Sequence, residues 1–224
     1  MKQEMKIALP LYKIAYALFF IIILCLIRGV SISYEIGIAL EPAMAMLAAA
    51  FCADTYVQEV SSRRSEVQRL YPMKKRIRSI GTRMLIQELF LLLLSAAGYG
   101  LFFLFQKPLL VSVVQPDTGN ELTQFGWYLV AITVTLVFWG MLSNTLACLF
   151  RSLWFGIGGC LILWLLTDSA LGDRYLGAWN LFSYTFRDSE NSSDFSWLMG
   201  KCICIVFCIA AAAVLPKLLK RKGA

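Results

Sequence analysis

The sequence predicts an all-α membrane protein with six transmembrane helices and both termini in the cytoplasm, forming a single transmembrane domain over residues 1–224. Three observations predict it. First, 59% of residues are apolar and 16% charged, with a mean hydropathy of +0.68. Soluble domains have about 45–50% apolar and about 25% charged residues. A soluble chain of 224 residues could not bury so many apolar side chains without leaving an apolar surface. Second, the apolar residues gather into six runs, each close to the ~20 residues that carry a helix across ~30 Å of hydrocarbon. Third, the basic residues segregate to one side of those runs, as cytoplasmic connections require.

The elements follow in order. Residues 1–13, MKQEMKIALPLYK, are basic and partly apolar, and Pro10 breaks any continuous helix. They read as a segment lying in the membrane interface. The first span is expected at 14–32, around YALFFIIILCLI. Its basic start and the Ser31-Ile32-Ser33 triplet imitate a signal peptide. The run is long for one, however, and Arg28 stands just before that triplet, so the span is read as retained. The second span is expected at 36–54, followed by the longest polar stretch, 55–82. The third is expected at 83–106, and a loop bearing the turn formers Pro116, Asp117, Gly119 and Asn120 follows it. The fourth (124–147) and fifth (153–170) flank a short turn at Arg151. A polar loop at 171–195 precedes the sixth, at 196–215.

With the N-terminus placed inside, sixteen of the 21 Lys and Arg residues fall on the cytoplasmic side. Arg28, Lys107, Arg174, Arg187 and Lys201 fall outside, together with most of the acids. The net charge of +7 therefore belongs to a membrane face in contact with the lipid bilayer, with no nucleic acid as partner.

Composition also excludes chemistry. There is no histidine. Histidine-ligated haem and zinc, HExxH proteases and Ser–His intramembrane proteases are all ruled out. The seven cysteines lie in or at the ends of apolar runs, and Cys202 and Cys204 form CxC rather than a zinc-ligand spacing. They read as small hydrophobes, and no metal site or catalytic residue is expected.

Within 55–82, Val57, Val60, Val67, Leu70 and Tyr71 recur near helical spacing, with Glu59, Arg63, Arg64, Glu66 and Arg69 on the other faces. Pro72 ends this short amphipathic helix, and Lys74, Lys75, Arg76 and Arg78 lead on to the third span. A loop held by phospholipid headgroups is one reading. A helix docking into a cleft of a cytoplasmic partner is the other, and the apolar stripe favours it.

Four polar residues lie in or near the spans: Glu41, Glu88, Asn144 and Asp168. Ionisable groups there usually face a bundle interior or water. Glu41, just before Pro42, reads either as lining an outward cavity or as solvating a helix kink. Glu88 is placed to pair with Arg83 or Arg151, and Asp168 to reach the outer surface. In the second span Ala39/Ala43 and Ala45/Ala49 have the spacing that lets membrane helices approach closely, within the chain or between subunits.

Six spans with both ends inside, a short amphipathic N-terminal segment and the 54–88 stretch DTYVQEVSSRRSEVQRLYPMKKRIRSIGTRMLIQE together resemble the permease subunits of ATP-binding cassette (ABC) transporters of the type-2 exporter class. In that family an acidic-and-basic coupling helix follows span two. The resemblance implies a separate nucleotide-binding ATPase subunit docking at Val57, Glu59, Val60, Arg63, Arg64, Glu66, Val67, Arg69 and Leu70, because this chain has no GxxxxGK[ST] phosphate loop. ATP and magnesium would sit on that partner, with no cofactor and no enzyme activity on this chain. It further implies a second membrane subunit, identical or paralogous, and a path for a hydrophobic or amphipathic substrate such as a peptide, antibiotic or lipid. A bacterial plasma membrane is the implied location. The fifth span departs from the pattern in being short and Gly-rich (GIGG at 156–159).

Family members carry a short re-entrant or interfacial helix between spans five and six that lids the path. The resemblance assigns that role to Trp179, Phe182, Tyr184 and Phe186, which read equally as an aromatic belt. Glu41, Glu88 and Asn144 are the candidates for contact along the path. The alternative reading is the substrate-binding membrane component of a vitamin-uptake system, against which the long basic 55–82 connection speaks. A CAAX-type protease lacks its histidines here, and residues 1–106 and 107–215 show no inverted repeat that would suggest a stand-alone carrier.

Overall fold

The computed structural model describes residues 2–55, 72–110, 113, 121–186 and 195–223. The helices are α1 (Lys2–Ala8), α2 (Leu11–Ile27), α3 (Glu35–Cys52), α4 (Met73–Gln106), α5 (Glu121–Phe150), α6 (Leu153–Thr167), α7 (Ala170–Leu176) and α8 (Trp197–Gly223). A 3₁₀ turn, Gly177–Trp179, follows α7. Among the described residues there is no strand, only an isolated bridge between Ile32 and Leu109.

Four helices (α3, α4, α5 and α8) are long and apolar enough to cross a membrane, and α6 with α7 makes a fifth if their bent pair counts as one span. The architecture is compatible with a multi-pass membrane protein. The remaining apolar run, expected at 14–32, forms α2, which has 17 residues and stops before Arg28. At ~1.5 Å per residue it is about 26 Å long, a little under a full hydrocarbon thickness.

The bundle runs up and down. We call the end where α3 and α8 begin the upper end, and the end that holds α1 the lower end. α3 is central, with 67% of its residues buried against 17% of the most apolar 18-residue stretch of α8. It packs on α5, α4 and α6, and α5 in turn packs on α8 and α6. Ile36, Leu40, Met44, Leu47 and Phe51 of α3 meet Ile132, Leu136 and Trp139 of α5 in one core. The small residues set the spacing: Ala45, Ala48 and Ala49 are fully buried within the chain, and the Ser143 hydroxyl donates to the Ala49 carbonyl at 2.6 Å. That stripe packs α3 against its own neighbours.

Several boundaries differ from expectation: α2 ends at Ile27 rather than 32, α8 runs on to Gly223 rather than 215, and two further differences bear on the site. α4 begins at Met73 rather than 83, because the basic stretch MKKRIRSIGT is itself helical. Lys and Arg are good helix formers, and Pro72 supplies the extended residue that starts the helix. In the polar loop expected at 171–195, the described residues after α7 turn inward: Asn180, Leu181, Phe182, Ser183 and Tyr184 are all buried. The amphipathic helix expected over Val57–Leu70 lies outside the described residues.

Gln106 closes the upper end of α2. Its Nε2 donates to the Cys25 and Arg28 carbonyls at 2.7 and 2.6 Å, and its Oε1 accepts from the Val30 amide at 2.8 Å. Glu35 accepts from the Ser31 and Ile32 amides at 2.7 and 3.2 Å and so fixes the turn into α3.

Candidate functional site

Glu41 lies six residues into α3, on the face turned to α5 and α8. Its Oε1 accepts from the Lys201 ammonium and from the Thr135 hydroxyl at 2.8 Å. Its Oε2 accepts from the Thr185 hydroxyl at 2.6 Å. Lys201 completes its three donations with Thr135 Oγ1 at 2.8 Å and the Leu181 carbonyl at 2.9 Å. Glu41 is 0% exposed and Lys201 2%. Isolated charges at such depth are prohibitively costly, and here each one is both paired and fully hydrogen-bonded.

Each partner arrives from a different element. Thr135 comes from the middle of α5 and Lys201 from the first turn or so of α8. Thr185 and Leu181 come from the inward-turned segment 180–186. Pro42, next to Glu41, has no amide hydrogen to give, and its carbonyl accepts from the Trp164 indole at 2.9 Å. That bond ties α6 to α3 one residue beyond the site.

Asn180–Phe186 packs around this pair, with Phe182 on the Trp139 side and Tyr184 on the Gly37 side. Phe182 stacks on Trp139 with centroids 5.5 Å apart and planes at 13°. Tyr184 meets Trp197 edge-on at 5.2 Å. Asn180 Nδ2 donates to the Thr167 carbonyl at 2.9 Å, and the Ser183 hydroxyl donates to the Trp197 carbonyl at 2.7 Å. Of the four aromatic residues singled out from the sequence, Phe182 and Tyr184 are buried and Phe186 half-buried, while Trp179 is 56% exposed.

Glu88 and Asn144 lie elsewhere, in the lower half between α3, α4 and α5. Glu88 Oε1 accepts from the Cys52 thiol at 3.7 Å, and Glu88 Oε2 has no hydrogen-bond partner. Asn144 Nδ2 contacts Met84 Sδ at 3.3 Å, and its Oδ1 is likewise unpartnered. The expected ion pair of Glu88 with Arg83 or Arg151 is not formed. Arg83, five residues earlier on α4, is turned about 140° around the helix from Glu88 and pairs with Glu4 of α1, while Arg151 is exposed. Asp168 caps the end of α6 and is half-buried.

The lower end holds a second set of ties. Lys13 pairs with Asp54, donates to the Phe51 carbonyl at 2.8 Å and lies 4.9 Å from the centre of the Phe51 ring. Gln87 donates to the Ala8 carbonyl at 3.1 Å and accepts from Thr55 at 2.7 Å. Glu4 accepts from Arg83 and from Ser79, the latter at 2.8 Å. Burial pushes the Glu4 carboxyl up, but the hydrogen bonds from Arg83 and Ser79 and the guanidinium charge outweigh it and hold it below its usual 4.5.

Sequence reasoning found Glu41 but missed Lys201, Thr135, Thr185 and the Lys13–Asp54 pair. Lys201 carried a readable signal: it is a lone cation inside the apolar run WLMGKCICIVFC, and such a residue calls for a buried counter-ion. Among the described residues, no group of three or more His, Cys, Asp or Glu side chains is arranged to hold a metal ion. Comparison with protein-family models, curated proteins and solved structures finds no match to this chain.

Proposed function

We propose that this chain is the permease subunit of an ABC exporter of the type-2 class, with six spans, both termini cytoplasmic and the upper end of the bundle facing outward. The observation that carries this reading is the break after α6. There the chain bends by 71° into α7 and then turns back into the bundle before α8. A re-entrant element between spans five and six is what the family resemblance implies at that position. The short α1, separated from α2 by Pro10 and packed on α4, agrees with the family's N-terminal segment. In this reading α2 crosses as the first span despite its length, with Arg28 at the outer interface.

A separate ATPase subunit docks on the 57–70 segment and drives rearrangement of the spans. A second membrane subunit encloses the path, and the substrate is hydrophobic or amphipathic. The test is a detergent pull-down from native membranes with the full chain as bait, followed by an ATPase assay. A variant carrying Glu59→Ala, Arg63→Ala and Glu66→Ala is run beside it. A co-purifying ATPase subunit that the variant loses supports the reading. A partner retained by the variant removes the docking helix from it, and a chain that comes down without any ATPase overturns it.

A further inference from the structure

The segment Asn180–Phe186 is held in an unusual way. It has no helix of its own, only turn hydrogen bonds such as Ser183 to Asn180 at 3.1 Å and Thr185 to Phe182 at 2.9 Å. Yet it occupies the upper centre of the bundle. Glycines make room for it on both sides. A Cβ at Gly37 of α3 would stand 3.0 Å from the Tyr184 ring, and one at Gly200 of α8 would stand 1.9 Å from the Asn180 carbonyl.

Two of its ties run to one charged pair. The Leu181 carbonyl accepts from Lys201, and the Thr185 hydroxyl donates to Glu41. These two points bracket Phe182, Ser183 and Tyr184, so parting Glu41 from Lys201 pulls them in different directions, against the remaining ties of Asn180 to the Thr167 carbonyl and Ser183 to the Trp197 carbonyl. Apolar side chains of similar volume would serve at least as well as a buried ion pair for stability alone. Glu41 and Lys201 also sit on different helices, α3 and α8, so any movement of one against the other acts on the pair directly.

A second observation points the same way. The indole N–H of Trp139, directly under the Phe182 ring, is buried and has no hydrogen-bond partner. Buried donors are nearly always paired. The stacked Phe182 covers the face of the indole rather than the in-plane direction of its N–H, so the donor stays unsatisfied while this part of the bundle is dry. Water admitted by withdrawal of the segment would relieve that cost.

We infer that Asn180–Phe186 is a displaceable plug latched by the Glu41–Lys201 pair, and that its withdrawal opens the upper end of the bundle between α3, α5 and α8. The inference rests on the permease reading for the meaning of that opening, since a plug matters only where something passes. Relative movement of α3 and α8 is the trigger: it parts the pair, draws Leu181 away with Lys201 and Thr185 away with Glu41, and so unseats the aromatic face of the plug from Trp139.

The test uses the full chain in lipid nanodiscs and needs no ATPase partner, so its failure is distinct from failure of the permease reading. Ser183→Cys places a thiol in the plug at a position that is 5% exposed. Its modification by a membrane-impermeant maleimide is followed against the unsubstituted chain, which corrects for native cysteines. The latch is then removed as a pair, Glu41→Gln with Lys201→Met, leaving no unpaired charge behind. The expected result is a modification rate at least about tenfold higher in the double variant, because labelling tracks the population of the open form. A double variant that elutes as a folded species yet protects Cys at 183 as well as the parent overturns the latch. So does a double variant that no longer folds, because the pair is then a structural pin.

Discussion

The Lys201 ammonium and the Glu41 carboxylate meet in the interior of the bundle although 160 positions separate them in the chain. Each is the most costly kind of group to place among apolar helices. The ammonium spends its three donors on Glu41, Thr135 and the Leu181 carbonyl, and the Thr185 hydroxyl donates to the other carboxylate oxygen. The pair joins α3, α5 and α8 at one point and gathers the inward-turned segment to it.

Removing one member should therefore cost far more than removing both. Lys201→Met leaves the Glu41 carboxylate with two threonine hydroxyls and no cation, and breaking a buried pair in this way costs about 3–5 kcal/mol. The combination Glu41→Gln with Lys201→Met should recover most of that loss. Thermal unfolding of the purified chains in detergent, followed by tryptophan fluorescence, gives the order parent, double variant, single variant. A single variant that melts with the parent would show that water already reaches the pair.

The aromatic residues of the same region should separate sharply. Phe182 is fully buried and stacked on Trp139, so Phe182→Ala opens a cavity and should destabilise the chain by about 3–5 kcal/mol. Trp179 is 56% exposed, and Trp179→Ala should stay within about 0.5 kcal/mol of the parent. Equal effects from the two would mean that the segment is not seated as described.

How much of this was legible in the sequence differs by feature, for physical reasons. Apolar runs reveal helices because crossing length and hydropathy are local properties, and α3, α5 and α8 begin within a few residues of expectation. The start of α4 was not legible in the same way, since Lys74, Lys75, Arg76 and Arg78 look the same in a solvated loop and in a solvated helix. Segment 180–186 was left open between a lid and an aromatic belt, because an aromatic run among acids suits an interface as well as a buried seat. Its burial depends on Gly37 and Gly200, which lie far away in the sequence. Glu41 was visible as an ionisable residue within a span. Its partner was overlooked although its place inside WLMGKCICIVFC was a signal, because a lysine five residues into α8 reads first as a flanking charge.

α1 should respond to acid. The Glu4 carboxyl lies below its usual 4.5, held down by Arg83 and Ser79 against the opposing effect of burial. A lowered folded-state pKa means that the tie is fully present above about pH 4.5 and is lost as pH falls through the lower folded value. A dye on Met5→Cys, at a position 53% exposed, reports the attachment of α1 through its anisotropy. The anisotropy should hold steady down to about pH 4.5 and fall below it, while Glu4→Gln should give a low value with no such step. A step that survives Glu4→Gln would assign the transition to another group.

Two neighbouring glycines of α6 give the most direct test of how closely the helices approach. A Cβ at Gly156 would stand 2.8 Å from both the Ala147 Cβ and the Ser143 carbonyl, which belong to the adjoining helix α5 and cannot swing aside as a flexible side chain would. At Gly158 nothing lies within 4 Å. Gly156→Ala should therefore push α6 away from α5 and destabilise the bundle by about 1–3 kcal/mol, the usual cost of overpacking. Gly158→Ala should be neutral or stabilising by up to ~1 kcal/mol, since alanine is the better helix former. Both are read in the same unfolding experiment. Because Trp164 of α6 bonds the Pro42 carbonyl beside Glu41, displacement by Gly156→Ala should also loosen the plug, and Cys at 183 should label faster in that background than in Gly158→Ala. Equal stability and equal labelling in the two variants would mean that α5 and α6 stand further apart than the Gly156 contact requires.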